Sequence, residues 1–438
     1  MTHLFEIIRR KGYWLVDYLR GRPVGRHYNE IVKVLSNHEG QSTAGLRRAN
    51  LEKLLHHAVS TAPFYKRFEN FSELQDFPVI NKNLILDHYL EFKSVPYLND
   101  DLYKASSSGS TGIPFGIYQD NTKRNRNTAD VIYFSEAAGS RIGDRLFYIK
   151  LWDHTNEKKR WVAFLQNILA FNVMDTSSKD IDGLISILRK DGSSKTILGY
   201  PSFFEEVCNY LEVHKIKPKI KKLNSIITMS ESLQEQVRDR MQKCFEAPIF
   251  ERYSNQENGI LAQQTKESGG KYVLNWGSFH FEFLELDSNR HVKPGCLGRI
   301  VVTDLFNFSM PMIRYDTGDM AVYEAPGNTL PYLSKIYGRR MDTVYNTKGK
   351  MVSPFIFYMV LEYARVKQFQ FIQKGKTEYS FKLNGEPKDV DEVGIQEYFR
   401  NYLGQDAIIT FEYVQEIPLL SSGKRKKIVN EYMPTDGQ

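Results

Sequence analysis

The feature that most limits the fold is an alternation. Across residues 103–252, helix-period stretches alternate with short apolar runs at 146–151, 196–198 and 225–229. Runs of that length between helical patterns mark strands buried on both faces, so the class is α/β, a sheet covered by helices. The alternation then gives way. Over 272–323, strand-like runs at 279–286, 298–303 and 320–323 are separated by Gly and Pro turns, which predicts a β-rich subdomain. Residues 1–100 read as helices with short loops. There Leu51, Leu54, Leu55 and Val59 share one helical face, and Pro63 stops that helix.

A chain of 438 residues is too long for one ordinary core. A large N-terminal domain is expected over 1–337. Beyond a boundary near Gly338, a small α+β domain over 338–438 would hold a helix (354–364), a hairpin around Lys374-Gly375 (368–383), a helix (390–403) and a strand (407–414).

With 41% hydrophobic and 25% charged residues the chain belongs with folded globular proteins. The net charge of +7 is spread along it. Neither 217–222 nor 424–427, the two basic runs, carries the interleaved aromatics of a nucleic-acid groove, so solvated faces are expected and no nucleic-acid partner. Cys208, Cys244 and Cys296 are too widely spaced for a metal pair or a disulfide framework, and they read as buried free thiols of a reducing compartment. Glu6, Arg9, Arg10 and Lys11 interrupt the apolar residues of the first 18, and nowhere do about 18 apolar residues run together. A cytoplasmic protein without stable membrane insertion is expected. Leu4, Ile7, Ile8, Tyr13, Trp14 and Leu15 would suit an amphipathic basic helix on a membrane surface or against the chain's own body, and packing against the body is the expectation.

Ser106-Ser107-Ser108-Gly109-Ser110-Thr111-Gly112-Ile113-Pro114 combines hydroxyls with glycine-freed backbone N–H groups, a composition that wraps phosphate oxygens. A flexible linker has the same composition, but this segment lies between structured stretches. No GxxxxGK[ST] occurs, which disfavours a Walker-type NTPase.

Residues 107–114 resemble the phosphate loop of adenylate-forming enzymes, in particular the phenylacetate-coenzyme A ligase and CapK-like branch. Further segments are similar, in the same order: Ala62-Pro63-Phe64-Tyr65 and "LQDFPVINKNLI"; Gly199-Tyr200-Pro201-Ser202 as the acyl-pocket turn; Ser230-Glu231 as a short cofactor-binding element; and Tyr253-Ser254-Asn255-Gln256-Glu257 as the adenine and magnesium motif. Arg314-Tyr315-Asp316-Thr317-Gly318-Asp319 resembles the ribose element and Gly338-Arg339-Arg340-Met341-Asp342 the hinge. Ser421-Ser422-Gly423-Lys424 resembles the loop that carries the catalytic lysine.

The resemblance implies a large domain working with a small mobile one, ATP and Mg²⁺ as cofactors, a carboxylic acid substrate, and coenzyme A as the default acceptor. An amine acceptor, such as an amino sugar in capsule or O-antigen assembly, is the alternative. A nucleotide-binding accessory protein without turnover is another. It implies Lys424 as the catalytic cation, Glu257 as the Mg²⁺ ligand, and Asp319 on the ribose hydroxyls. Tyr253 would cover adenine and Arg339 would approach on closure. Taken singly each has an ordinary alternative: core aromatic, surface carboxylate, turn residue, solvated cation. Arg340 and Lys348 are expected to face solvent, and Tyr200, Phe203 and Phe204 either line an acyl pocket or pack in the core. Three departures stand out. Ile113 and Phe115 flank Pro114 where relatives often carry lysine, which predicts one phosphate contact fewer. Gln256 replaces a small hydroxyl residue, and Met341 replaces the first aspartate of the hinge.

Overall fold

A computed structural model describes residues 2–36, 40–107, 115–152, 159–173, 175–286, 288–327, 330–339, 344–349, 351–352, 354–418 and 428–432. The chain divides into two compact units, Met1–Thr317 with Ala321–Ile336, and Gly318–Met320 with Tyr337–Gln438.

The first unit opens with helices α1 (Thr2–Leu19), α2 (Pro23–Ser36), α3 (Gln41–Thr61) and α4 (Lys82–Asp87). In α3, Leu54, Leu55 and Val59 are buried as the periodicity predicts, and Pro63 opens a 3-10 turn where the helix stops. A hairpin of β1 (Tyr103–Ser107) and β2 (Phe115–Gln119) follows, then helix α5 (Asn121–Ala137), capped by the Asp120 carboxylate on the Thr122 and Lys123 N–H groups. The α/β alternation then runs as β3 (Arg145–Lys150), α6 (Arg160–Leu165), β4 (Ile168–Asn172), α7 (Ser178–Lys190), β5 (Lys195–Gly199), α8 (Pro201–Val213), β6 (Leu223–Met229), α9 (Glu235–Phe245) and β7 (Ile249–Asn255). Strands β8 (Gly259–Gln264), β9 (Tyr272–Leu274), β10 (Phe279–Leu284), β11 (Leu297–Asp304), β12 (Tyr315–Glu324) and β13 (Tyr332–Arg339) complete it.

Among the described residues these strands form one sheet in the order β10-β11-β12-β13-β9-β8-β7-β6-β5-β3-β4. Strands β3 to β7 pair in parallel, whereas β7 with β8, β8 with β9 and β10 with β11 pair antiparallel. The sheet is shared but the cores are not. The parallel half packs Phe147, Ile197, Phe204 and Ile226 among α7, α8 and α9. The β-rich half packs Ile260, Phe281 and Val302 against α2, α3 and residues 64–92. Strand β7 contributes to both, with Ile249 and Phe250 in one and Tyr253 against the other.

The expected buried thiols need correction, since only Cys208 is buried; Cys244 is half-buried and Cys296 exposed. The packing expected for α1 also needs correction. Tyr13 and Trp14 pack on the body near Tyr28, but Leu4, Ile8 and Leu15 are exposed. The reason is that the helix is fastened by its polar side. Glu6 accepts from Ser194 N at 2.8 Å, Asp17 accepts from Val24 N and Gly25 N, and Arg10 donates to Ile142 O at 3.0 Å. Among the described residues no helix is long and apolar enough to cross a membrane.

The second unit contains β14 (Val344–Tyr345), β15 (Met351–Val352), α10 (Val360–Tyr363), β16 (Gln368–Gln373), β17 (Glu378–Asn384), α11 (Glu392–Leu403), β18 (Ile408–Tyr413) and β19 (Ile428–Asn430). The expected first helix is 3-10 over Pro354–Met359 before α10 begins. Its four-stranded sheet runs β18-β17-β16-β19, with the hairpin register set by Phe371 opposite Phe381.

Candidate functional site

In a parallel sheet every strand delivers its C-terminal loop to the same edge, and ligands of open α/β sheets bind there. That edge gathers segments far apart in the chain. Strand β3 leads to Leu151 and Trp152, β5 to Tyr200, β6 to Ser230 and Glu231, and β7 to Tyr253 and the residues after it.

Ser230 follows β6 with φ +70°, a left-handed conformation that costs a non-glycine residue of order 1 kcal/mol and is typical of functional turns. Glu231 then reaches the start of α8, where its carboxylate accepts from Ser202 N at 3.0 Å and Ser202 Oγ at 3.1 Å. Tyr200 supplies no side-chain cap there, so Glu231 does, against the positive end of the helix. Tyr200 is pushed up to about 12 by burial, beside Tyr148 and Glu231, and lies within hydrogen-bond reach of the Ser230 side chain and the Leu151 backbone. Trp152 meets Tyr148 edge-on at 5.3 Å. Phe203 and Phe204 belong to the core, packed on Phe171 and Phe245, which settles the alternative left open for them.

Two residues of this edge carried no signal in the sequence. Tyr148 sits inside an apolar run, and Arg252 precedes a motif without belonging to it. Burial lowers the Arg252 guanidinium to about 10, opposed by Tyr148. Its Nε donates to Gln263 Oε1 at 2.6 Å, and among the described residues no carboxylate pairs with it. A guanidinium so placed is a ready anion partner.

Past β7, Asn255 Oδ1 accepts from Asn258 N at 2.8 Å and closes a turn that leaves Gln256 exposed and Glu257 only 7% exposed. The turn is clamped from beneath. Gln119 Nε2 donates to Glu257 O at 3.1 Å, and Lys123 Nζ donates to Asn258 O at 2.7 Å while pairing with Asp304 at 2.7 Å, both side chains fully buried. Nothing in the sequence around Lys123 distinguishes it from a solvated helix lysine.

Tyr253 donates to Thr317 Oγ1 at 3.3 Å, joining the segment after β7 to the start of β12. Asp319 lies two residues further along β12 and is half-buried. Gly318 between them has φ +77° with open space where a Cβ would stand, so the backbone alone requires glycine. Ser107 ends β1 opposite Phe115, and Arg339 ends β13. Ser108, Gly109, Ser110, Thr111, Gly112, Ile113 and Pro114 lie outside the described residues, as do Arg340, Met341, Asp342 and the 421–424 loop with Lys424. Lys348 is exposed.

No group of three or more His, Cys, Asp or Glu side chains able to hold a metal occurs among the described residues. Mg²⁺ needs no such cage, because it commonly takes one or two carboxylates and completes its shell with phosphate oxygens and water. A single hard oxygen donor such as Glu257 fits that habit.

The CapK C-terminal domain family matches residues 344–431. Protein CapK of Staphylococcus aureus is 22% identical over 435 residues, 92% of each chain. The phenylacetate-coenzyme A ligase of Pseudomonas putida is 26% identical over 334 residues, covering 69% of this chain and 73% of that one. Among solved structures, 2-hydroxyisobutyryl-CoA ligase in the postadenylation state with 2-HIB-AMP superimposes with a TM-score of 0.71 at 17% identity, over 89% of this chain and 90% of that one. The same ligase in an open conformation with 2-HIB-AMP and CoA gives 0.61. The chain is thus similar in sequence to Protein CapK and to phenylacetate-coenzyme A ligases, and it shares the fold of 2-hydroxyisobutyryl-CoA ligase.

Proposed function

We propose that this chain is an AMP-forming ligase that activates a carboxylic acid and passes the acyl group to an acceptor, with coenzyme A the first choice. The observation that carries this reading is the gathering of Tyr200, Ser230, Arg252 and Tyr253 at the carboxyl edge of the parallel strands, with Tyr253 bonded to Thr317.

In the first step a carboxylate oxygen attacks the α-phosphorus of ATP, the bond to the bridging oxygen breaks, and pyrophosphate leaves. In the second the acceptor attacks the acyl carbon and AMP departs. Both partners of the first step are anions, so fixed positive charge at the reacting phosphorus is what lowers the barrier. Lys424 supplies that charge, and Arg252 holds an oxygen of the acid or phosphate. Ser107, Ser108, Gly109, Ser110, Thr111 and Gly112 wrap the phosphates. Tyr253 covers adenine with Ser254, Asn255 and Gln256 around it, Asp319 accepts from the ribose hydroxyls, and Arg339 approaches on closure. Glu257 would hold Mg²⁺, which when bound neutralises phosphate charge. Glu231 acts as a positioning residue through α8, alongside Ser230. The residues 1–337 serve as the adenylating domain and 338–438 as the mobile one. ATP and coenzyme A as co-substrates fit a cytoplasmic enzyme.

An amine acceptor is the second reading.

The test is hydroxylamine trapping with Mg²⁺-ATP and pools of aryl, fatty, hydroxy and amino acids, read by mass spectrometry. Acid-dependent AMP with a matching hydroxamate is expected, reduced about 10²- to 10³-fold in Lys424→Ala. Nucleotide binding without AMP from any pool would instead support an accessory protein.

A further inference from the structure

We propose that α1 and α6 form a surface by which this chain adsorbs to an anionic lipid bilayer. A surface helix ordinarily turns its apolar stripe inward and its charges outward. Helix α1 departs from this, because a second apolar stripe faces outward although Tyr13 and Trp14 pack inward. At 3.6 residues per turn Leu4, Ile8, Leu15 and Leu19 fall within roughly 60° of one another, with Phe5 and Val16 beside them, while Glu6, Arg10 and Asp17 fall on the opposite side. The polar side is the one fastened to the body: Glu6 and Asp17 are buried in hydrogen bonds, and Arg10 also pairs with Asp144 at 3.6 Å. Gly143, at φ +97°, lets the Glu6 backbone come so close that any Cβ there would collide with it. The apolar side is left in water, with Leu19 74% exposed.

Helix α6 continues this face. Trp161, Phe164 and Leu165 are all exposed, and the Arg9 guanidinium lies 5.3 Å from the Phe164 ring, which joins the two helices. An apolar surface built from two elements marks an interaction site rather than scattered exposure. Its rim says which kind. Arg9, Lys11, Lys159 and Arg160 border it, and both carboxylates of α1 are turned away and engaged inside the protein. Apolar side chains ringed by long cations, with an indole among them, are complementary to acyl chains beneath anionic headgroups. A second copy is a poorer occupant, because two such faces would oppose their basic rims. The helices would lie on the bilayer, since none among the described residues is suited to cross it.

The test uses the full chain sedimented with vesicles of phosphatidylglycerol or of phosphatidylcholine. Binding to phosphatidylglycerol is expected, falling at least about tenfold for Ile8→Asp with Phe164→Asp, and likewise for Arg9→Glu with Lys11→Glu. Circular dichroism checks that these variants fold. In the unaltered chain, brominated acyl chains are expected to quench tryptophan emission, and Trp161→Phe to remove that quenching. Absence of vesicle binding, or undiminished binding in both double variants, would overturn the proposal. So would a dimer seen by light scattering without vesicle binding and abolished by Ile8→Asp, which would assign the face to a second copy.

Discussion

The two units bury different kinds of side chain. In the first, ions are buried: Lys123 pairs with Asp304, and Arg314 with Glu282 at 2.9 Å. In the second, Phe357, Phe371, Phe381 and Phe399 lie against one another, and the polar side chains buried among its described residues, Thr347, Gln373 and Ser380, are neutral. Taking charges out of water costs more than a buried pair usually returns, so stability is a poor reason for the first pattern. Position is a better one. Lys123 reaches the carbonyl of Asn258, Arg314 the carbonyls of Gln75 and Phe77, and Asp120 the N–H groups of Phe308 and Ser309. Each ion anchors a stretch of irregular backbone that apolar packing could not hold in register.

The sharpest way to break this contrast is Lys123→Met. It orphans Asp304, whose carboxyl burial already pushes up, and is expected to cost about 4 kcal/mol in urea denaturation. Lys123→Met with Asp304→Leu should recover much of that stability while leaving the 255–258 turn loose, read as weakened ATP binding. A double variant as unstable as the single one would refute the view that the orphaned charge causes the loss. On the apolar side, Phe381→Ala should cost about 3 kcal/mol. Its increase in amide exchange should appear in 344–432 and spare the parallel strands.

Acid separates the units further. Burial, then the charges of Arg126 and Lys53, lower His27 to about 4. The folded chain thus favours the neutral ring, and the unfolded chain takes up a proton first as pH falls. Stability held above about pH 6.5 is therefore lost between 6.5 and 4, by roughly 1 to 2 kcal/mol after solvent screening. His27→Asn should reduce that loss in urea midpoints, with the remainder from His280, which burial also lowers to about 4, whereas residues 337–438 contain no histidine and should lack it. The smallest effect expected is Gly318→Ala, about 1 kcal/mol from the left-handed backbone alone. An unchanged melting temperature would show that β12 relaxes there without strain.

Periodic features were legible in the sequence. The strands at 146–151 and 225–229, the helix face of Leu54, Leu55 and Val59, and the hairpin around Lys374-Gly375 all depend on neighbours along the chain. The motif order also names Tyr200, Ser230 and Tyr253, which the parallel strands bring to one edge of the sheet. What stayed hidden depends on partners distant in sequence. Lys123 meets Asp304 from another layer, Glu231 is drawn to α8 by the helix end that β6 faces, and Arg252 differs from other arginines only in the strands around it. The outward face of α1 was misread for the same reason, since periodicity reveals a stripe but not which side is fastened.

One consequence of the divided interior concerns how such a protein changes over generations. Tyr148 and Tyr200 are rooted in the parallel half, whereas Tyr253 rests on the β-rich half, although all stand on one sheet. Substitutions that reshape the wall around Tyr200 can therefore be absorbed by α7, α8 and α9 without disturbing what supports Tyr253. If the wall selects the acid and Tyr253 the nucleotide, lineages can drift in what they activate while keeping the means of activation.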